Sequence, residues 1–302
     1  MASEEKKGTV FALMAAFVSG IAIPMNKLFV VDIDPIVFTA IRSILIGLVF
    51  LMLSYKRAEF KKAKKPDLVG LLLIAVIGGA LAFLMFFTGL RMTTAGRGAF
   101  LHKTLPLYVT LLAFLFLKEK IGKKQLIALS LMFLGTIFVY FDAIQPGPFW
   151  LNPSLGDLLV ICATFLWAVE NVMAKRVMEG GNSNFLVSFS RMFLGGLILF
   201  GFVLLTGRLP TLLALNAGQV MNILISTLVL FSYVFFWYSA VKMINVSKAS
   251  TMLLIAPVIS MIGGILIFGE PTPLLQLVGS ALILYGAYMT TKVKSDHLIL
   301  EV

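Results

Sequence analysis

Apolar runs of about 20 residues, separated by short polar stretches, cover almost the whole chain. Crossing the hydrocarbon core of a bilayer takes about 20 mostly apolar residues. Ten segments qualify, at about 8–28, 35–54, 68–89, 95–117, 124–142, 156–177, 185–206, 218–240, 248–268 and 273–291. The breaks are clear. "SYKRAEFKKAKKPD" divides the second run from the third, and "KEKIGKK" the fourth from the fifth. The Pro- and Gly-rich "DAIQPGPFWLNPSLGD" marks the midpoint. The first run is longer than a signal-peptide core of roughly 7–15 residues, so it is expected to stay as a span.

Composition agrees. The 302 residues are 60% hydrophobic and 13% charged, whereas a soluble domain carries about 25% charged residues. The expected class is an all-α integral membrane protein. A lone cysteine, Cys162, allows no internal disulfide.

The net charge of +11 would suit nucleic acid if it formed one patch, but it alternates along the chain. With the N-terminus inside, the inner loops and helix ends hold eighteen Lys and Arg, from Lys6 to Lys294. The outer ones hold Lys27, Arg91, Arg97 and Arg208. That asymmetry is the positive-inside bias, and it places both termini in the cytoplasm of a plasma (inner) membrane protein. The basic runs are topology signals, and no nucleic-acid partner is implied.

The chain also repeats itself. A shift of 151 residues lays Met92 on Met243, Pro106 on Pro257, Glu119 on Glu270, Gln125 on Gln276 and Gly135 on Gly286. Upstream, shifts of 149 and 148 lay Arg42 on Arg191 and Met25 on Met173. The halves, 8–142 and 156–291, carry five spans each. An odd number inverts the second half relative to the first. Inverted repeats are the architecture of secondary transporters, with the substrate held near the midplane between them.

The arrangement resembles the drug/metabolite transporter superfamily of EamA type, with ten helices in two EamA repeats. The resemblance rests on "LPLYVTLLAFLFLKEKIGKKQLIALSLMFLG" and "APVISMIGGILIFGEPTPLLQLVGSALILYG", which share Pro, then Glu at a helix end, then Gln, then Gly. "FLWAVENVMAKRV" resembles the family's opening helix of the second repeat; its counterpart "FVSGIAIPMNKLF" lacks the tryptophan. The resemblance implies export of small metabolites, with four helices of each half around a cavity and the fifth outside.

Charge inside a span costs roughly 2.5–3.5 kcal/mol on insertion scales and points to function. Arg42 and Arg191 occur in both halves, as a fold feature or a cavity lining. His102, Lys103 and Glu170 fall on Leu253, Leu254 and Ala22, and so break the symmetry as a substrate does. Lys103 and Glu170 both lie near the bilayer centre. They are placed to bind opposite ends of a zwitterion, or to form a static pair. An imidazole such as His102 changes charge near neutrality. Adjacent helical residues point about 100° apart, so His102 and Lys103 cannot face one spot, nor can Glu170 and Asn171. Glu170 is the candidate proton carrier.

Trp167 shares a face with Glu170 three residues on, and suits a cavity wall. Tyr233 is expected in the cavity, while Trp237 and Tyr238, near a helix end, suit the interfacial belt. Pro106 and Pro257 are expected to kink their helices, as gates or for shape. Ser250 and Thr251 are expected as caps, and Glu119 and Glu270 as structural residues.

No HExxH, GxSxG, P-loop or cysteine cluster is present. No cofactor, metal or enzymatic activity is implied, and ATP hydrolysis on this chain cannot drive transport. The leading expectation is a secondary transporter exporting amino acids or similar metabolites by alternating access, with proton coupling. A sugar-phosphate or nucleotide-type transporter is the alternative within the superfamily. A lipid-handling protein or enzyme, pairing Ser188 or Ser190 with His102, is the alternative outside it. The partners are a small-molecule substrate and the bilayer; a homodimer is left open.

Overall fold

The computed structural model describes residues 2–29, 33–61, 65–144 and 151–295. Part of the midpoint connection (145–150), Lys62 and Lys64 of the basic run, and His297 lie outside the described residues.

Ten long helices follow the ten apolar runs: α1 (Ala2–Phe29), α2 (Pro35–Lys56), α3 (Asp67–Leu90), α4 (Ala95–Leu117), α5 (Lys123–Val139), α6 (Leu155–Glu179), α7 (Asn184–Leu205), α8 (Ala217–Met243), α9 (Val246–Phe268) and α10 (Leu274–Thr291). Among the described residues, nine are long and apolar enough to cross a bilayer, and α5, with 17 residues, completes the set. Polar residues at the breaks start the helices. Asp34 accepts from the Ile36 and Val37 N–H groups at α2. Ser154 with Asp157, and Asn216 with Gln219, form reciprocal caps on α6 and α8.

The halves interlock. α1 packs along α8 and α9, and α6 packs in the equivalent way along α3 and α4. α2 packs on α7, and α5 on α10. The α5–α10 crossing shows the internal symmetry atom by atom. A Cβ on Gly135 would sit 2.9 Å from Ile283 Cγ1, and one on Gly279 2.5 Å from the Gly135 carbonyl. A Cβ on Gly286 would sit 2.8 Å from the Ala128 carbonyl and close to Met132. Under the 151-residue shift, Gly135 becomes Gly286, while Ala128 and Met132 become Gly279 and Ile283.

Both prolines disturb their helices. Before Pro106, α4 tightens, with Lys103 N donating to Phe100 O at 2.8 Å and Thr104 N to Leu101 O at 3.1 Å. Before Pro257, Leu253–Ile255 forms a 3₁₀ turn. Proline's missing N–H and its ring account for both. Three stretches widen to π geometry: Ala75–Leu81 in α3, Ala113–Leu117 in α4 and Ser190–Leu194 in α7.

Candidate functional site

The polar groups meet where α6 crosses the π-helical turns of α3 and α7 and the last turns of α8. Glu170 is fully buried. Its Oε1 accepts from the Tyr238 hydroxyl at 2.5 Å. Its Oε2 lies 3.5 Å from Arg191 Nε, and among the described residues neither of those two atoms has a hydrogen-bond partner. Single-turn π segments are frequent at functional sites because they re-aim side chains. Here Ser190–Leu194 carries Arg191, while Ala75–Leu81 carries Gly78 against the Glu170 side chain and Gly79 against the α7 backbone.

Aromatic residues enclose the cluster. Trp167 donates from Nε1 to the Gly78 carbonyl at 3.0 Å. Its ring contacts His102, Phe83 and Phe86 at centroid distances of 5.0, 5.1 and 5.2 Å. Trp237 Nε1 donates to Asn171 Oδ1 at 2.8 Å, and Tyr233 stacks on Trp237 with a 6° interplanar angle. Lys103 is 7% exposed, and no described residue gives its ammonium an ion pair or hydrogen bond. The His102 Nδ1 is likewise buried without a partner.

Several expectations change. Glu170 is engaged by Arg191 and Tyr238 rather than by Lys103. Trp237 and Tyr238 are 1% and 0% exposed and do not form an interfacial belt; α8 reaches 27 residues and brings its last turns inside, where Asn171 and Glu170 satisfy the polar ring atoms. The two repeated arginines have diverged. Arg191 joins the cluster, while Arg42 donates to Ser226 Oγ at 2.6 Å and lies over the Phe38 ring at 3.9 Å. The hydroxyls of Ser250 and Thr251 bond back to the Ser247 carbonyl instead of capping α9. Glu119 does the capping, accepting from Val246 N at 2.8 Å, Ser247 N at 3.2 Å and the Ser247 hydroxyl.

Both ends of the bundle are tied. At the end bearing the termini, Lys175, far from being a solvated loop charge, is 1% exposed and donates to the carbonyls of Val241 and Ile244. Lys248 is equally buried and donates to Glu5 and to the Val293 carbonyl. At the opposite end Arg97 pairs with Asp157 at 2.5 Å, and Arg91 and Arg208 pair with Asp34 at 2.8 and 2.6 Å. Burial works to raise the Asp34 carboxyl, but bonds from Arg91, Ile36 and Val37 and the charge of Arg208 hold it below its ordinary range. Sequence reasoning placed Tyr238 in the belt and missed its bond to Glu170, and it missed the buried roles of Lys175 and Lys248. A lysine one turn from a helix end looks the same whether it faces water or a neighbouring helix's carbonyls.

A ten-helix membrane bundle of two interlocked inverted repeats around a buried ionic cluster defines a polytopic membrane protein of the transporter class. The EamA-like transporter family model matches residues 6–141 and 154–292, and the chain belongs to that family. It is similar to an uncharacterized transporter of Archaeoglobus fulgidus, 25% identical over 95% of this chain and 99% of the relative. It is also similar to the uncharacterized transporter YyaM of Bacillus subtilis, 25% identical over 80% of this chain and 78% of the relative. A solved crystal structure of a protein 15% identical to this chain shares the fold, with a TM-score of 0.74 over 94% of this chain and 98% of its own.

Proposed function

We propose that the protein is a secondary transporter exporting a small zwitterionic metabolite, an amino acid or a close analogue, by alternating access between its halves. The supporting observation is the incomplete polar pairing in the interior. Lys103 is buried without a counter-charge, and the Glu170–Arg191 pair leaves Oε2 and Nε without hydrogen bonds. Buried charges hold a fold together only when paired and hydrogen-bonded. Groups left short of partners suit a ligand that supplies them. In this reading Lys103 takes the substrate carboxylate. The ammonium competes with Arg191 for Glu170, against the rings of Trp167 and Tyr233. Glu170 exchanges a proton as it changes partners, which couples transport to a pH gradient.

A phosphate-bearing substrate is less well served. Arg191 faces Glu170 and Arg42 faces Ser226, which leaves Lys103 alone for a multiply charged anion. With termini cytoplasmic by the lysine bias, Glu119 and Lys175 close the cytoplasmic end.

The test is uptake and efflux in proteoliposomes with a panel of labelled metabolites, with and without an imposed pH gradient. The reading expects movement of amino acids, faster with the gradient and lost in Lys103→Ala and Glu170→Ala. Full transport by those two variants would refute the zwitterion site.

A further inference from the structure

Two ion pairs stand at opposite ends of the bundle, and the internal repeat relates their basic members. Arg97 is the third residue of α4 and Lys248 the third of α9, and the 151-residue shift lays one on the other. Their partners share an element but not a register: the 148-residue shift lays Asp157 on Thr9, four residues beyond Glu5. Asp157 lies in the first turn of α6 and Glu5 in the first turn of α1, the opening helices of the two halves. Each pair therefore ties the start of a fourth helix to the start of the other half's first helix. Arg97 of the first half meets Asp157 of the second at 2.5 Å, and Lys248 of the second meets Glu5 of the first at 3.0 Å.

Neither is a loose surface contact. The Asp157 side chain is 5% exposed and that of Lys248 1% exposed. Further bonds reinforce both. Thr93 donates to Asp157 Oδ1 at 2.5 Å, and the Ser295 N–H donates to Glu5 Oε1 at 2.8 Å. Because the halves are inverted, one pair lies at each face of the membrane.

We propose that these pairs are the two gates of alternating access, Arg97–Asp157 closing the end away from the termini and Lys248–Glu5 closing the end that bears them. Both are made here, with the ionic cluster sealed between them. Opening to one face breaks that face's pair while the other holds. This inference rests on the alternating-access reading but not on the identity of the substrate.

The experiment reads access rather than transport. Val234, fully buried one turn before Tyr238 on α8, is replaced in Val234→Cys on a Cys162→Ser background. A membrane-impermeant maleimide is then applied to one face at a time of oriented vesicles. Asp157→Asn is expected to raise labelling from the end away from the termini by about fivefold, and Glu5→Gln to raise it about fivefold from the termini end, the range for losing a partly buried pair. Labelling from the other face should not rise. The swap Arg97→Asp with Asp157→Arg should return labelling to the parent level, which separates gating from misfolding. Unchanged labelling in both single variants, or a rise from the same face in both, would overturn the proposal. Face-specific labelling in a protein that moves no solute would support the gates and count against the proposed transport.

Discussion

Glu119 offers the sharpest energetic test, because one carboxylate from the first half caps a helix of the second. It is 4% exposed and accepts from Val246 N, Ser247 N and the Ser247 hydroxyl, while Gln125 Nε2 donates to that hydroxyl's oxygen at 2.9 Å. Glu119→Ala strands two N–H groups in the first turn of α9. Hydrogen bonds to a charged group contribute about 1.5–3 kcal/mol each, and removing the carboxylate also removes its own burial cost. The net loss should be about 2–3 kcal/mol, a fall of about 4–6 °C in the unfolding temperature. Glu119→Gln keeps one acceptor and should lose about 1 kcal/mol.

The pH dependence distinguishes this account from a generic packing defect. Burial pushes the Glu119 carboxyl above its ordinary 4.5, and the bonds from Ser247 and Val246 and the charge of Lys175 offset this only in part. Between 4.5 and the higher folded value, the folded protein holds more protons than the unfolded chain. The contribution is therefore fully present below 4.5, declines as pH rises through the folded value, and is level beyond it. Asp34, held low, has the opposite sign and loses its contribution as the pH falls below 3.8. Thermal unfolding of detergent-purified protein from pH 4.5 upward should show a steeper decline in the parent than in Glu119→Gln. Parallel pH profiles, or a Glu119→Ala variant melting with the parent, would refute the reasoning.

Three further outcomes are expected. Lys103→Met removes a buried unpaired cation and should raise the unfolding temperature by about 2–4 °C while cutting amino-acid uptake at least about tenfold; a less stable but fully active variant would contradict the assignment. Trp237→Phe leaves Asn171 Oδ1 without its donor and should cost about 1–2 kcal/mol in denaturant unfolding, with no loss if that bond is idle. Gly79→Ala would place a Cβ 2.9 Å from Gly195 Cα and 3.2 Å from the Arg191 carbonyl carbon; backbone cannot swing aside, so a cost of about 1–3 kcal/mol is expected in thermal unfolding, and a neutral result would show that α3 and α7 separate easily.

The helices were legible because bilayer thickness leaves one solution for apolar runs of this length. The repeat was legible because Pro, Glu, Gln and Gly recur at fixed spacing, and Gly135 and Gly286 turn out to sit at equivalent points of one crossing. Glu170, Trp167 and Asn171 could be singled out because polar groups stand out in an apolar run, and the structure brings all three into the interior. Their partners could not be read. Tyr238 reaches Glu170 because α8 runs long, and Arg191 faces it from a π turn of α7; neither local feature has a residue signature. Arg191 and Arg42 look alike in the repeat, yet they differ in what α6 and α8 present to them.

The interlocking of the halves has a consequence for biosynthesis. α1 leaves the ribosome well before α8 and α9, yet it packs against them, and their residues begin at 217. At about 5–20 residues per second, α1 waits about 10–40 s in the bilayer before its neighbours exist. During that interval the insertion machinery, lipid or a membrane chaperone must shield its unpartnered face. Truncation after the midpoint connection would leave both α1 and the α3–α4 face without the surfaces they were made to meet.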